Sequence, residues 1–159
     1  MEQDSLKKKR IIFHKPKKEE KWMVSIRLPL DMKEKLKQQC ERDYSGRSKQ
    51  SKLVEAAVNY YLYTFSNINW GEYQKDLEYA ELIDDIREGI HQDNLGQPTQ
   101  VFFSEEIKFK ILELEKKVKI TTPLLKDVRT GLIRKALSIR LSLGSKDFFD
   151  SIMKLDANL

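Results

Sequence analysis

The side chains of this 159-residue chain best suited to chemistry are its cations, and the chemistry they suit is the binding of polyanions. Lys7, Lys8, Lys9 and Arg10 stand together, followed by Lys15, Lys17, Lys18 and Lys21. Clusters of this kind neutralise phosphates and release their counterions. The net charge of +5 is unevenly spread. Residues 1–62 hold 16 Lys and Arg against 9 Asp and Glu, residues 63–97 hold 2 against 8, and residues 98–159 hold 12 against 8. Two basic segments thus flank an acidic one, which suggests two polyanion-facing units separated by a segment that faces elsewhere. Met23, Ser25 and Arg27 alternate along a β-favouring run, so a thioether, a hydroxyl and a guanidinium share one strand face.

Other chemistry is thinly supplied. The single cysteine, Cys40, cannot form an intramolecular disulfide, and one Cys with two His cannot make a four-ligand zinc site. A Gly-rich phosphate loop and paired histidine ligands are both missing from the sequence. His14 and His91 lie in separate polar segments and take no role, and Cys40 falls on a helix stripe as a small core residue. The expectation is a non-enzyme without cofactor or metal. No apolar run approaches a membrane span and no h-region follows the basic start, so a cytoplasmic protein without membrane contact is expected.

The elements that position these residues are legible from periodicity. Residues 1–21 cannot bury enough apolar surface to offset their ordering entropy and read as a basic flexible arm. Trp22 to Leu28 is a short strand with Val24, Ile26 and Leu28 on the face opposite Met23, Ser25 and Arg27, and Pro29 stops it. Met32, Leu36 and Cys40 recur every four residues, the spacing of a helix. Gly46 suits a left-handed turn, Ser48 caps a second helix, and Leu53, Val54, Ala57, Val58, Tyr61 and Leu62 form its stripe. A lone strand of this length needs a partner for its backbone donors and acceptors.

The run Ser25-Ile26-Arg27-Leu28-Pro29, the turn Gly46-Arg47-Ser48 and the helix from Ser51 to Tyr61 together resemble a ribbon-helix-helix DNA-binding domain of the MetJ/Arc type, over about forty residues. The stretch between Cys40 and Gly46 is slightly longer than that pattern. The resemblance implies that two such units pair their strands into an antiparallel ribbon that enters the major groove of double-stranded DNA. It makes Met23, Ser25 and Arg27 the base-reading residues. Arg27 suits guanine O6 and N7, Ser25 suits several bases, and Met23 suits a thymine methyl. It also places the start of the second helix against a phosphate, with Lys21, Arg47, Ser48 and Lys49 as phosphate-binding residues.

Beyond this unit, Trp70, Tyr73, Leu77, Ala80, Ile83, Ile86 and Ile90 recur at steps of three or four, so residues 63–97 read as an acidic amphipathic helical linker over 70–90 that ends at Asn94-Leu95-Gly96-Gln97-Pro98. It serves as a spacer packed on its neighbours or as a docking face for a protein partner. Residues 98–159 read as a second, divergent ribbon-helix-helix-like unit with a C-terminal helix. Thr99 to Phe103 favours a strand whose outward residues are Pro98, Gln100 and Phe102, and Gln100 can pair with adenine. Ser104 and Asp127 sit where the two following helices need caps, and Thr130 to Leu137 repeats the apolar pattern of Ser51 to Val58.

The expected fold class is mainly α with short β-strands, tandem ribbon-helix-helix units joined by an amphipathic helix. The strands pair either within one chain or across chains, and a homodimer, or a tetramer on DNA, is the expected partner state. The function this implies is sequence-specific double-stranded DNA binding, with transcriptional regulation leading, since that is what most family members do. A relaxosome accessory or partition protein at a plasmid site is the alternative, because tandem units also resemble origin-of-transfer-binding accessory proteins of F-like conjugative plasmids. An antitoxin-type DNA-binding and protein-interaction module comes third. All three imply a nucleoid- or plasmid-associated place in the cytoplasm.

Overall fold

A computed structural model describes residues 21–44, 50–143 and 145–157. The expected arm, and the expected phosphate contacts Arg47, Ser48 and Lys49, lie outside the described residues, apart from Lys21, which is exposed immediately before the first strand. The order is β1 (Trp22–Pro29), α1 (Leu30–Tyr44), α2 (Gln50–Thr64), a 3-10 turn (Trp70–Lys75), α3 (Leu77–Ile90), β2 (Leu95–Phe103), α4 (Glu105–Thr121), α5 (Val128–Ser142) and α6 (Ser145–Ala157). The molecule is therefore mainly helical, and a strand–helix–helix succession occurs twice.

β1 finds its partner in the same chain. It pairs antiparallel with β2 to make a two-stranded sheet, in a register that sets Val24 against Val101 and Ile26 against Thr99. This settles the pairing that the sequence left open in favour of the intrachain form. Val24, Ile26, Leu28, Val101 and Phe103 point into one core, where they meet Leu53, Val54, Val58 and Tyr61 of α2 and Leu132, Ile133, Ala136 and Leu137 of α5. The stripe of α1 (Met32, Leu36, Cys40) and that of α4 (Ile107, Ile111, Leu114, Val118) close the same core. Burial, and then the carboxylates of Glu41 and Asp43, push the Cys40 thiol above its ordinary value, as suits a core residue.

Three boundaries differ from the sequence reading. The linker helix begins at Leu77, seven residues later than the stripe suggests. The Asp76 carboxylate accepts from the backbone N–H groups of Asn69, Glu78 and Tyr79 at 2.7, 2.9 and 3.3 Å, and so starts α3 while closing the 3-10 turn. Trp70 and Tyr73 pack edge-on against Tyr79 across that break. Second, Leu95, Gly96 and Gln97 belong to β2 and not to a linker. Asn94 turns the chain into the strand in left-handed conformation (φ 55°), and its carbonyl accepts from Leu30 N–H at 2.9 Å. Third, Asp127 occupies the cap position of α5 but is itself left-handed (φ 58°), and its side chain makes no capping hydrogen bond. Ser104 caps α4 as expected, accepting from Ile107 N–H.

α3 lies on α5 at very short range. A Cβ on Gly89 would stand 2.1 Å from the carbonyl oxygen of Gly131, and one on Gly131 would stand 2.3 Å from that of Ile86. Tyr61, Lys135 and Asp85 join the elements further. The Tyr61 hydroxyl donates to Asp85 at 2.9 Å, and Lys135 lies 3.0 Å from Glu88 and 3.8 Å from Asp85. Burial, followed by the Asp85 charge, pushes the Tyr61 hydroxyl far above its ordinary value. Arg140, fully buried on α5, donates to Gln39 at 2.8 Å and to Asp43 at 3.0 Å, and its guanidinium sits 4.4 Å from the Phe148 ring centre, which ties α1, α5 and α6 together. Among the described residues, no helix is long and apolar enough to cross a membrane.

Gly89→Ala and Gly131→Ala should each destabilise the protein by about 1–3 kcal/mol, because forced overlap at a packed contact outweighs the better helix propensity of alanine. Urea unfolding measures this; a gain in stability would mean that the two helices do not cross here.

Candidate nucleic-acid interface

Among the described residues, the core covers one face of the two-stranded sheet. The other carries three cross-strand pairs: Met23 opposite Phe102, Ser25 opposite Gln100, and Arg27 opposite Pro98. All six side chains are exposed, and the two large apolar ones, Met23 at 45% and Phe102 at 41%, are unusually open for their type. Strand alternation accounts for the arrangement, since Val24, Ile26, Val101 and Phe103 are held inward. The sequence-predicted residues Met23, Ser25, Arg27 and Gln100 are thereby brought together on one surface. That surface is one antiparallel ribbon wide, and a B-form major groove admits such a ribbon.

The starts of α2 and α5 stand at the two sides of the ribbon. On one side the Ser51 hydroxyl accepts from Phe102 N–H at 3.0 Å and Glu55 accepts from Ser104 N–H at 2.7 Å, so the first turns of α2 hold the end of β2. On the other, Met23 and Ser25 share a groove of about 670 Å³ with Asp127, Val128 and Thr130 at the start of α5 and with Lys119 and Lys126. Among the described residues, no side chain caps α5, and an uncapped helix start favours an anion. Arg129 is engaged elsewhere: it makes a two-point bond to Glu115 at 2.6 and 2.9 Å and lies over the Trp22 ring, which itself packs on Phe103.

Arg27 is not free in this arrangement. Its Nε donates to the Gly96 carbonyl at 2.9 Å and its Nη2 to that of Leu95 at 3.4 Å, so it fastens the ribbon's outer face across the irregular pairing between Arg27 and Pro29. Beneath it lies Arg134, which local patterning marks only by its place in the repeated helix pattern. Arg134 is 6% exposed and donates to the carbonyls of Arg27 (2.9 Å), Gly89 (3.2 Å) and Ile90 (3.3 Å). It joins the ribbon to the carbonyl end of α3, where a cation is favoured. Burial, and then the nearby Arg27 charge, lower its pKa from the ordinary arginine value.

Glu55 and Arg134 hold matching places in the two repeated helix patterns. The first takes a backbone N–H beside β2 and the second takes a backbone C=O of β1, so the two halves solve the same problem with opposite charges. Among the described residues no group of His, Cys, Asp and Glu could hold a metal ion. Comparison with protein-family models, with curated proteins and with solved structures finds no match for this chain.

Arg134→Met keeps the bulk of the side chain and removes its donors, leaving three carbonyls without them. A stability loss of about 1–3 kcal/mol is expected in urea unfolding. An unchanged midpoint would show that Arg134 does not hold the ribbon to α3.

Proposed function

We propose that the chain is a sequence-specific double-stranded DNA-binding protein in which tandem ribbon-helix-helix units form a single-chain pseudo-dimer. The observation that carries this reading is the exposed antiparallel ribbon flanked by the starts of α2 and α5. Its outward pairs offer an amide, a hydroxyl, two apolar groups and the Nη1 of the Arg27 guanidinium, whose Nε and Nη2 bond the Gly96 and Leu95 carbonyls, and these suit base edges and thymine methyls in a major groove. The helix starts and the neighbouring lysines suit the phosphates on either side. The basic composition of residues 1–62 adds a salt-dependent contribution. The acidic α3 keeps Glu81, Asp84 and Glu88 exposed and belongs on a side away from the duplex.

Regulation of transcription is the leading role, and a relaxosome accessory or partition role at a plasmid site uses the same chemistry. An antitoxin-type role is the third reading; for it, α3 offers an exposed acidic surface, while its apolar residues Tyr79, Leu82, Ile83 and Ile86 are buried within the chain.

A ribbon of two identical strands reads a palindrome, whereas here Met23, Ser25 and Arg27 face Phe102, Gln100 and Pro98. The site read by one ribbon is therefore asymmetric. Selection of duplexes from a randomised pool should enrich a short motif without internal two-fold symmetry. Arg27→Ala should cost about 1–3 kcal/mol of binding and relax the preference at one position. Retention without enrichment, or unchanged affinity and preference in Arg27→Ala, would remove the ribbon as the reading element.

A further inference from the structure

Helix α4 carries two apolar stripes where its place in the fold uses one. Ile107, Ile111, Leu114 and Val118 face the core and are buried. On nearly the opposite side, Phe109, Leu112 and Ile120 stand in solvent, 65%, 38% and 75% exposed. Residues 109, 112, 116 and 120 follow steps of three, four and four, so with Lys116 they form one continuous stripe. Beside it the apolar surface continues into a groove of about 380 Å³ lined by Leu62, Tyr63, Phe65 and Trp70. Scattered exposed apolar residues are normal, but a stripe at helical spacing joined to an apolar groove marks an interface.

The charges along the stripe favour a second copy of the same chain as its occupant. When two identical helices lie antiparallel about a two-fold axis, the register that sets Phe109 opposite Ile120 of the second copy also sets Glu113 opposite Lys116 of the second copy. The same contacts recur in the reciprocal direction, as an isologous interface requires. One register thus satisfies both the apolar and the ionic complement, with Leu112 lying against the stem of Lys117 of the second copy. A parallel arrangement sets Glu113 against Glu113 and Lys116 against Lys116.

We infer that α4 is a dimerisation face on which two copies pair antiparallel through Phe109, Leu112 and Ile120, keyed by reciprocal Glu113–Lys116 contacts. The dimer does not involve the ribbon, which is already complete within one chain, and the inference does not depend on DNA binding. An interface little more than one helix wide is small, so association on the order of micromolar is expected.

Sedimentation equilibrium of the full chain without DNA, from about 1 to 100 µM, tests this over the range in which such an affinity is read. The wild-type chain should pass from monomer to dimer. Ile120→Asp should stay monomeric with an unchanged thermal melt, since the side chain is exposed. Glu113→Lys and Lys116→Glu should each weaken the dimer by at least about tenfold, and the double variant should restore it. A wild-type chain that stays monomeric, a dimer that survives Ile120→Asp, single charge reversals without effect, or a double variant that fails to recover would each overturn the inference.

Discussion

Everything in this fold answers to the unpaired backbone of β1. Eight residues of extended chain present donors and acceptors along their length, and no arrangement of helices around them satisfies that row. The partner strand comes from the same chain, starting at Leu95, with α1, α2 and α3 in between. Once the two strands pair, one face of the ribbon is apolar and must be buried. The repeated helix pairs supply that burial from both sides, α2 and α5 directly and α1 and α4 around them. The outer face is left over by the same alternation that filled the inner one, and its exposed pairs are the surface on which the functional reading rests.

Linking the two strand–helix–helix segments in one chain creates a second requirement, which α3 meets. The chain must travel from the end of α2 to the start of β2, and it does so as a helix laid across α5 at a distance only glycine backbones allow, Gly89 against Gly131. Its carbonyl end then sits over Arg134, whose guanidinium bonds the last turn of α3 and the Arg27 carbonyl together. The acidic surface that remains outside is the part of α3 that packing did not use. The connection therefore acts as a brace for the ribbon as well as a spacer.

Much of this was legible in the sequence, because burial in helices and strands imposes periodicity. The stripe of α1 with Cys40, that of α2, the alternating faces of both strands and the Ser104 cap all follow from spacing alone. The misplaced boundaries have specific causes. A stripe from Trp70 to Ile90 ignores that Asp76, on the polar side, bonds three backbone N–H groups and so divides the run. Leu-Gly-Gln-Pro reads as a linker, yet in a two-stranded ribbon every strand is an edge strand and Pro98 is tolerated. Asp127 stands where a cap belongs, and only its left-handed backbone shows that its side chain does not bond there. For the candidate interface, the outward residues could be named from alternation, whereas the bonds of Arg27 to β2 and the support from Arg134 depend on contacts between distant elements that no local pattern records. Intrachain and interchain pairing satisfy the same backbone groups, so the sequence could not choose between them.

The ribbon and the helices packed on it depend on one chain pairing its own two strands. Cysteines at Ser25 and Gln100, an opposed exposed pair, test it directly under mild oxidation, with Cys40 buried in the core. Intrachain pairing predicts an internal disulfide: a species of single-chain mass on a non-reducing gel, with both thiols consumed and the yield independent of protein concentration. A covalent dimer as the main product, rising with concentration, would show that the strands pair between chains and would contradict it.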